Sequence, residues 1–207
     1  ALESVTVTAG GAESDIDMDS IEDGTNLSTL SLTASGLNST IDVAEVGGST
    51  AAILDTLSMT ATNGSVIDTA ADDTVSITTS ENMTSIIASA TGAGSKVNAG
   101  QVSADGLDVT TLTFTAADGG LIDMESAETD PLINYVPKNA TLSTSGTGSI
   151  LDANLLTQDA GSLAATESTI SIDAEGASSV LDLQGTTLGG VDVDLISINV
   201  GAYATLN

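Results

Sequence analysis

Several residue types that usually carry chemistry or scaffolding are missing from this chain. Its 207 residues include no cysteine, histidine, arginine or tryptophan. Without cysteine there is neither a disulfide framework nor a thiolate metal site. Without histidine and cysteine the commonest acid–base and nucleophilic groups are absent, which argues against an enzyme. Aromatic residues are limited to Phe114, Tyr135 and Tyr203, too few for a globular core of ordinary thickness. A thin core of stacked aliphatic side chains needs none. Cations are as scarce: Lys96 and Lys138 face 29 acidic residues, for a formal net charge of -27. That balance argues against nucleic acid and anionic membranes as partners, because both need Lys or Arg to neutralise phosphate. Divalent cations are the natural counter-species. No stretch approaches the roughly 18 apolar residues of a membrane span, so membrane insertion is not expected. The sequence opens at Ala1 without a basic, then apolar, leader, as expected of a processed product or a piece of a longer chain.

What the chain does have is apolar residues, 41% of the total with a mean hydropathy of +0.26, which argues against simple disorder. It also has a repeat. Residues 27–42 read LSTLSLTASGLNSTID, in which Leu30, Gly36 and the pair Ile41–Asp42 stand out. The same triple occurs in VTVTAGGAESDID (Val5, Gly10, Ile16–Asp17) and LSMTATNGSVID (Leu57, Gly64, Ile67–Asp68). It returns in IIASATGAGSKVN (Ile86, Gly92, Val97–Asn98) and LTFTAADGGLID (Leu112, Gly119, Ile122–Asp123). LSTSGTGSILD supplies Leu142, Gly146 and Leu151–Asp152, and ISIDAEGASSVLD supplies Ile170, Gly176 and Leu181–Asp182. ISINVGAYATLN ends the series with Ile196, Gly201 and Leu206–Asn207.

These eight copies have first-position spacings of 25, 27, 29, 26, 30, 28 and 26 residues, and the second pair follows by 9 to 11. A fixed period of this size marks stacked repeats. Within a copy, apolar and hydroxyl residues alternate with the period of a strand, and the glycine suits a corner. A further apolar cluster between copies, such as Val75 and Ile77 or Leu155 and Leu156, suggests a third side. The expected fold is all-β: a single right-handed parallel β-solenoid over residues 1–207, of about eight rungs of 25–30 residues. Helices are disfavoured by the many β-branched residues and glycines and by the lack of a 3.6-residue period. Residues 128–139, ETDPLINYVPKN, hold both prolines and read as a loop leaving the rod, lengthening that repeat to 30.

Stacking such rungs places Asp17, Asp42, Asp68, Asn98, Asp123, Asp152, Asp182 and Asn207 in one column at about 4.8 Å spacing. Like charges that close repel by about 1 kcal/mol per pair even in water. Calcium, which takes oxygen ligands at about 2.3–2.6 Å, could bridge neighbouring rungs. The expected metal ligands are Asp15, Asp17, Asp19, Asp42, Asp68, Asp123, Asp152 and Asp182, with Asp72, Asp73, Asp192 and Asp194 as further local clusters. The competing reading is a solvated acidic face, or side chains capping corners. Sequons at Asn26, Asn38, Asn63, Asn82 and Asn139 are ordinary in a chain this rich in Ser and Thr.

Strings such as ALESVTVTA, LSTLSLTASG and VTTLTFTAADGG resemble the strand repeats of large secreted bacterial proteins, the RTX-type surface-layer proteins and giant adhesins. The resemblance implies an extracellular, calcium-stabilised β-solenoid that self-assembles into a lattice or filament, although no regular RTX nonapeptide occurs. The expected partner is then another copy, joined through the solenoid ends. The alternative is an adhesive or ice-binding module using hydroxyl ladders such as Thr6/Thr8, Ser31/Thr33, Ser58/Thr60 and Thr113/Thr115, interrupted at Ala88.

Overall fold

The computed structural model describes residues 3–19, 21, 27–44, 46–47, 54–69, 77–79, 84–99, 102–104, 110–124, 139–153, 168–183 and 193–207. Among them there are strands and turns but no helix. Alternation sets the strands. In Thr29–Ala34, Leu30, Leu32 and Ala34 are buried while Thr29, Ser31 and Thr33 face outward. β-branched and hydroxyl side chains suit such a pleated, half-buried surface.

The first sheet collects the longer strand of every copy. These are β1 (Ser4–Ala9), β3 (Thr29–Ala34), β6 (Thr56–Thr62), β9 (Ser85–Thr91), β12 (Thr111–Ala117), β14 (Asn139–Ser145), β16 (Ser168–Ala174) and β18 (Val193–Val200). The second sheet collects the short strands β2 (Asp15–Met18), β4 (Thr40–Val43), β7 (Val66–Asp68), β10 (Lys96–Asn98), β13 (Leu121–Asp123), β15 (Ile150–Asp152), β17 (Val180–Asp182) and β19 (Thr205–Leu206). A third sheet holds β5 (Val46–Gly47), β8 (Ile77–Thr79) and β11 (Val102–Ala104). In the two large sheets each strand pairs in parallel with the equivalent strand of the next copy. The chain is a β-solenoid. Ile77 takes its expected place on a third side; Val75, Leu155 and Leu156 lie outside the described residues. Because the third sheet has three strands against eight in each of the others, the described turns closed on three sides are fewer than the eight copies.

Three inward rows fill the interior from the first sheet. Leu30, Leu57, Ile86 and Leu112 form one, and Leu32, Met59, Ala88 and Phe114 the next. The third, nearest the corner, is almost all alanine: Ala9, Ala34, Ala61, Ala90, Ala116 and Ala174, with Thr144 between the last two. Ile41, Ile67, Val97, Ile122, Leu151 and Leu181 of the second sheet complete this core. Small residues near the corner let the two sheets converge, and the larger side chains fill the space where they splay. Phe114, the one buried ring, is paired with Ala88 on the adjoining strand, so bulk on one rung is offset by its neighbour.

Register corrects three sequence readings. Leu112 pairs with Ala140, and Leu142 pairs with Phe114. The sixth copy therefore begins at Ala140, two residues before the leucine that the sequence reading assigned to it. A slip of two keeps the same face inward, so alternation alone does not reveal it. The interval across the proline-containing segment is then 28 residues, from Leu112 to Ala140, and the 30-residue interval falls between Ala140 and Ile170. Residues 128–138 lie outside the described residues; Asn139 opens β14. Ala88, expected in the outer hydroxyl ladder, is fully buried, and the outward residue beside it is Ile87.

Candidate functional site

Each rung turns from the first sheet to the second through a four-residue corner: GAES, GLNS, TNGS, GAGS, ADGG, GTGS, GASS and GAYA, ending at residues 14, 39, 65, 95, 120, 149, 179 and 204. The backbone N–H of the fourth residue donates to the carbonyl of the first at Ser14, Ser39, Ser65, Ser95, Gly120, Ser179 and Ala204. The third residue has positive φ in every copy: Glu13, Asn38, Gly64, Gly94, Gly119, Gly148, Ser178 and Tyr203. At Asn63–Gly64 and Asp118–Gly119 both central residues are positive, the conformation that Asn-Gly and Asp-Gly favour. The glycines singled out by the sequence reading are therefore of two kinds. Gly64 and Gly119 occupy the third position, Gly36, Gly92, Gly146, Gly176 and Gly201 the first, and Gly10 precedes its corner. At Gly36 the requirement is close approach, since a Cβ there would stand 2.0 Å from the Gly11 carbonyl oxygen. Asn38 and Asn63, noted as sequons, serve the corner backbone, and Asn63 Nδ2 donates to the Ser35 carbonyl at 3.0 Å.

The fourth corner position carries a buried serine in five copies, Ser39, Ser65, Ser95, Ser149 and Ser179. Ser39 Oγ donates to the carbonyls of Ala9 (3.0 Å) and Gly36 (2.9 Å), and Ser65 Oγ donates to that of Ala34. Gly64 N–H donates to Ser95 Oγ at 3.0 Å, and Gly119 N–H to Ser149 Oγ at 3.1 Å. These bonds cross from rung to rung and tie the corners into a ladder. In the fifth copy Gly120 takes the place, because a Cβ would lie 2.1 Å from the Ala90 carbonyl oxygen. The sequence analysis missed this ladder. Its signal is plain in hindsight: Ser-x-aliphatic-Asp/Asn recurs at SDID, STID, SVID, SKVN, SILD and SVLD.

The acid column exists in register. Asp17, Asp42, Asp68, Asn98, Asp123, Asp152 and Asp182 pair in succession along the second sheet. Asn207 joins it through a 3.2 Å bond from Nδ2 to Asp182 Oδ2. The other expected ligands are elsewhere: Asp15 pairs with Thr40 in an outward column beside it, and Asp19 is exposed just past β2. Asp72, Asp73 and Asp192 lie outside the described residues. Much of the column's relief comes from the chain itself. Asn98 Nδ2 donates to Asp68 Oδ1 at 3.1 Å, and Lys96 Nζ sits 3.4 Å from Asp123 Oδ2. Asn199 repeats the device on the first sheet, with Nδ2 3.1 Å from Asp173 Oδ1 and 2.9 Å from Glu175 Oε1. Among the described residues no group of three or more acids is arranged to hold a metal ion. Single-file acids alternating with amides give bridging pairs at most.

The outward face of the first sheet is different in kind. Its three columns run Ser4–Thr29–Thr56–Ser85–Thr111, Thr6–Ser31–Ser58–Ile87–Thr113 and Thr8–Thr33–Thr60–Ser89–Thr115 over the first five rungs. Ile87 alone lacks a hydroxyl, and no charge interrupts these columns until Asp173 pairs with Ser143. A chain with net charge -27 thus keeps one face neutral.

The last rung is uncovered. Ile196, Ile198 and Val200 continue the three inward rows but are 44%, 57% and 46% exposed, against 3%, 7% and 0% for Ile170, Ile172 and Ala174 one rung below. Leu195 and Tyr203 add exposed apolar surface nearby.

No family model, curated protein or solved structure matches this chain. Its resemblance to secreted repeat proteins rests on the strand strings alone, and the functional reading rests on the surfaces described above.

Proposed function

We propose that the chain is a structural, self-assembling protein of the cell surface or extracellular space, a subunit of a surface layer or filament, with no catalytic role. One observation carries the reading: the core of the rod does not close at β18 but presents Ile196, Ile198 and Val200 at its end. An uncovered rung of aliphatics with free ladder groups is a template for another strand. The finer geometry proposed is eight right-handed turns, the hand that parallel crossovers almost always take. Divalent cations, calcium foremost, act as bridging counter-ions to the two column runs that lack an amide, Asp17–Asp42–Asp68 and Asp123–Asp152–Asp182. The strand strings resembling those of secreted repeat proteins support an extracellular location.

Electron microscopy of the purified protein in calcium and in chelator tests this directly. Rods or sheets are expected in calcium. Discrete monomers in both conditions, at every concentration, overturn the reading.

A second reading, an adhesive or ice-binding module, is favoured by the neutral hydroxyl face of the first sheet. It predicts thermal hysteresis in a freezing assay. The common preference of threonine for exposed strand positions accounts for the same columns, which is why it stands second.

A further inference from the structure

We propose that a second copy stacks on the uncovered rung in the same parallel register that relates rungs within one copy, with Asn207 set between two aspartates at the joint. This rests on the self-assembly reading above and specifies how the copies meet.

The strand at the far edge of the first sheet is β1, and it belongs to the same three rows as β18. Its inward residues are Val5, Val7 and Ala9, the counterparts of Ile196, Ile198 and Val200. Parallel apposition of β18 with β1 of the next copy therefore sets Ile196 on Val5, Ile198 on Val7 and Val200 on Ala9. Outside, Ser197 meets Thr6 and Asn199 meets Thr8. A shift of one residue would turn the aliphatics of one copy toward solvent, so the apolar rows fix the register.

The second sheet makes the same choice. Leu206 pairs with Leu181, and continuing the stack sets it on Ile16 of the next copy. Asn207 then lies over Asp17. Inside the rod, Asn98 stands between Asp68 and Asp123 in register and donates to Asp68. Asn207 already donates to Asp182, and its amide has a second N–H to offer. At the joint Asn207 would separate Asp182 from the next copy's Asp17 as Asn98 separates its neighbours. An acid at that place would set carboxylate on carboxylate.

The absence of cysteine makes the register directly measurable. Thr6 and Ser197 occupy one outward column at opposite edges of the eight-stranded sheet, about 34 Å apart within one copy. In the proposed joint their Cα atoms lie about 4.8 Å apart, within disulfide range. The double variant Thr6→Cys, Ser197→Cys is expected to give a ladder of covalent multimers on a non-reducing gel after mild oxidation under assembling conditions. The off-register pair Thr6→Cys, Asn199→Cys is expected to give far less. Rods that form without the ladder, or equal ladders from both pairs, overturn the joint and leave self-assembly standing. Monomers throughout overturn both. A second variant, Asn207→Asp, is expected to raise the concentration needed for assembly about fivefold at low salt, with the effect fading in high salt. No change at low salt overturns the role of Asn207.

Discussion

At Ser65 the hydroxyl donates to the Ala34 carbonyl and accepts the Thr62 N–H, all within a fully buried corner. Replacing it with alanine removes both bonds and leaves the N–H and the carbonyl without water to turn to. Ser65→Ala is expected to destabilise the rod by about 1–3 kcal/mol, read as a lower midpoint in urea. Thr144 is the opposite case. It stands in the alanine row, 1% exposed, and its Oγ1 has no hydrogen-bond partner. Valine has the same shape without the hydroxyl, so Thr144→Val is expected to raise stability by about 1 kcal/mol, checked by the same titration. A midpoint that falls would mean that the hydroxyl has a partner and that the row is less apolar than its neighbours indicate. Which buried hydroxyls stabilise is decided by partners on the adjoining rung, and the sequence around each residue does not name those partners.

The strands and corners show where sequence reading succeeds and where it stops. Parallel stacking was legible because Leu30, Leu57, Ile86 and Leu112 recur at one period and each is followed by an aliphatic–Asp/Asn pair; their observed pairing in register reproduces that spacing. The start of the sixth copy was not legible. Ala140 and Leu142 lie on the same face of β14, and the more apolar of the two attracts the assignment. Corner glycines misled for a related reason: Gly64 and Gly36 look alike in sequence, yet one is required by its backbone angle and the other by the Gly11 carbonyl against it. The acid column was legible as a column, but its internal relief was not, because Asn98 was read as a weak member rather than a donor. Asn98→Asp tests that point. It would create an unbroken run of seven acids from Asp17 to Asp182, removing an amide bond and adding two like-charge neighbours. A loss of about 1–3 kcal/mol is expected at low ionic strength, shrinking in 1 M NaCl. A loss that is independent of salt would point to the hydrogen bond alone.

For the molecule as a whole, two long-range facts oppose one another. The net charge of -27 makes any two copies repel, while the uncovered rung with Ile196, Ile198 and Val200 favours their contact over a few ångströms. Repulsion between exposed charges extends about 30 Å at 0.01 M salt and about 3 Å at 1 M, whereas apolar contact does not weaken with screening. Association through the end is therefore expected to be suppressed at low ionic strength and promoted by added salt, with divalent ions effective at lower concentration than sodium. Light scattering across a salt series measures this. Ile198→Asp separates end contact from simple salting-out. The residue is 57% exposed, so the fold should melt at an unchanged temperature, yet a carboxylate in the middle inward row would have to be desolvated at every joint. Scattering from this variant is expected to stay at the monomer level across the series. If it instead rises with salt as the parent does, association runs through the sides of the rod, and the neutral hydroxyl face becomes the surface to examine.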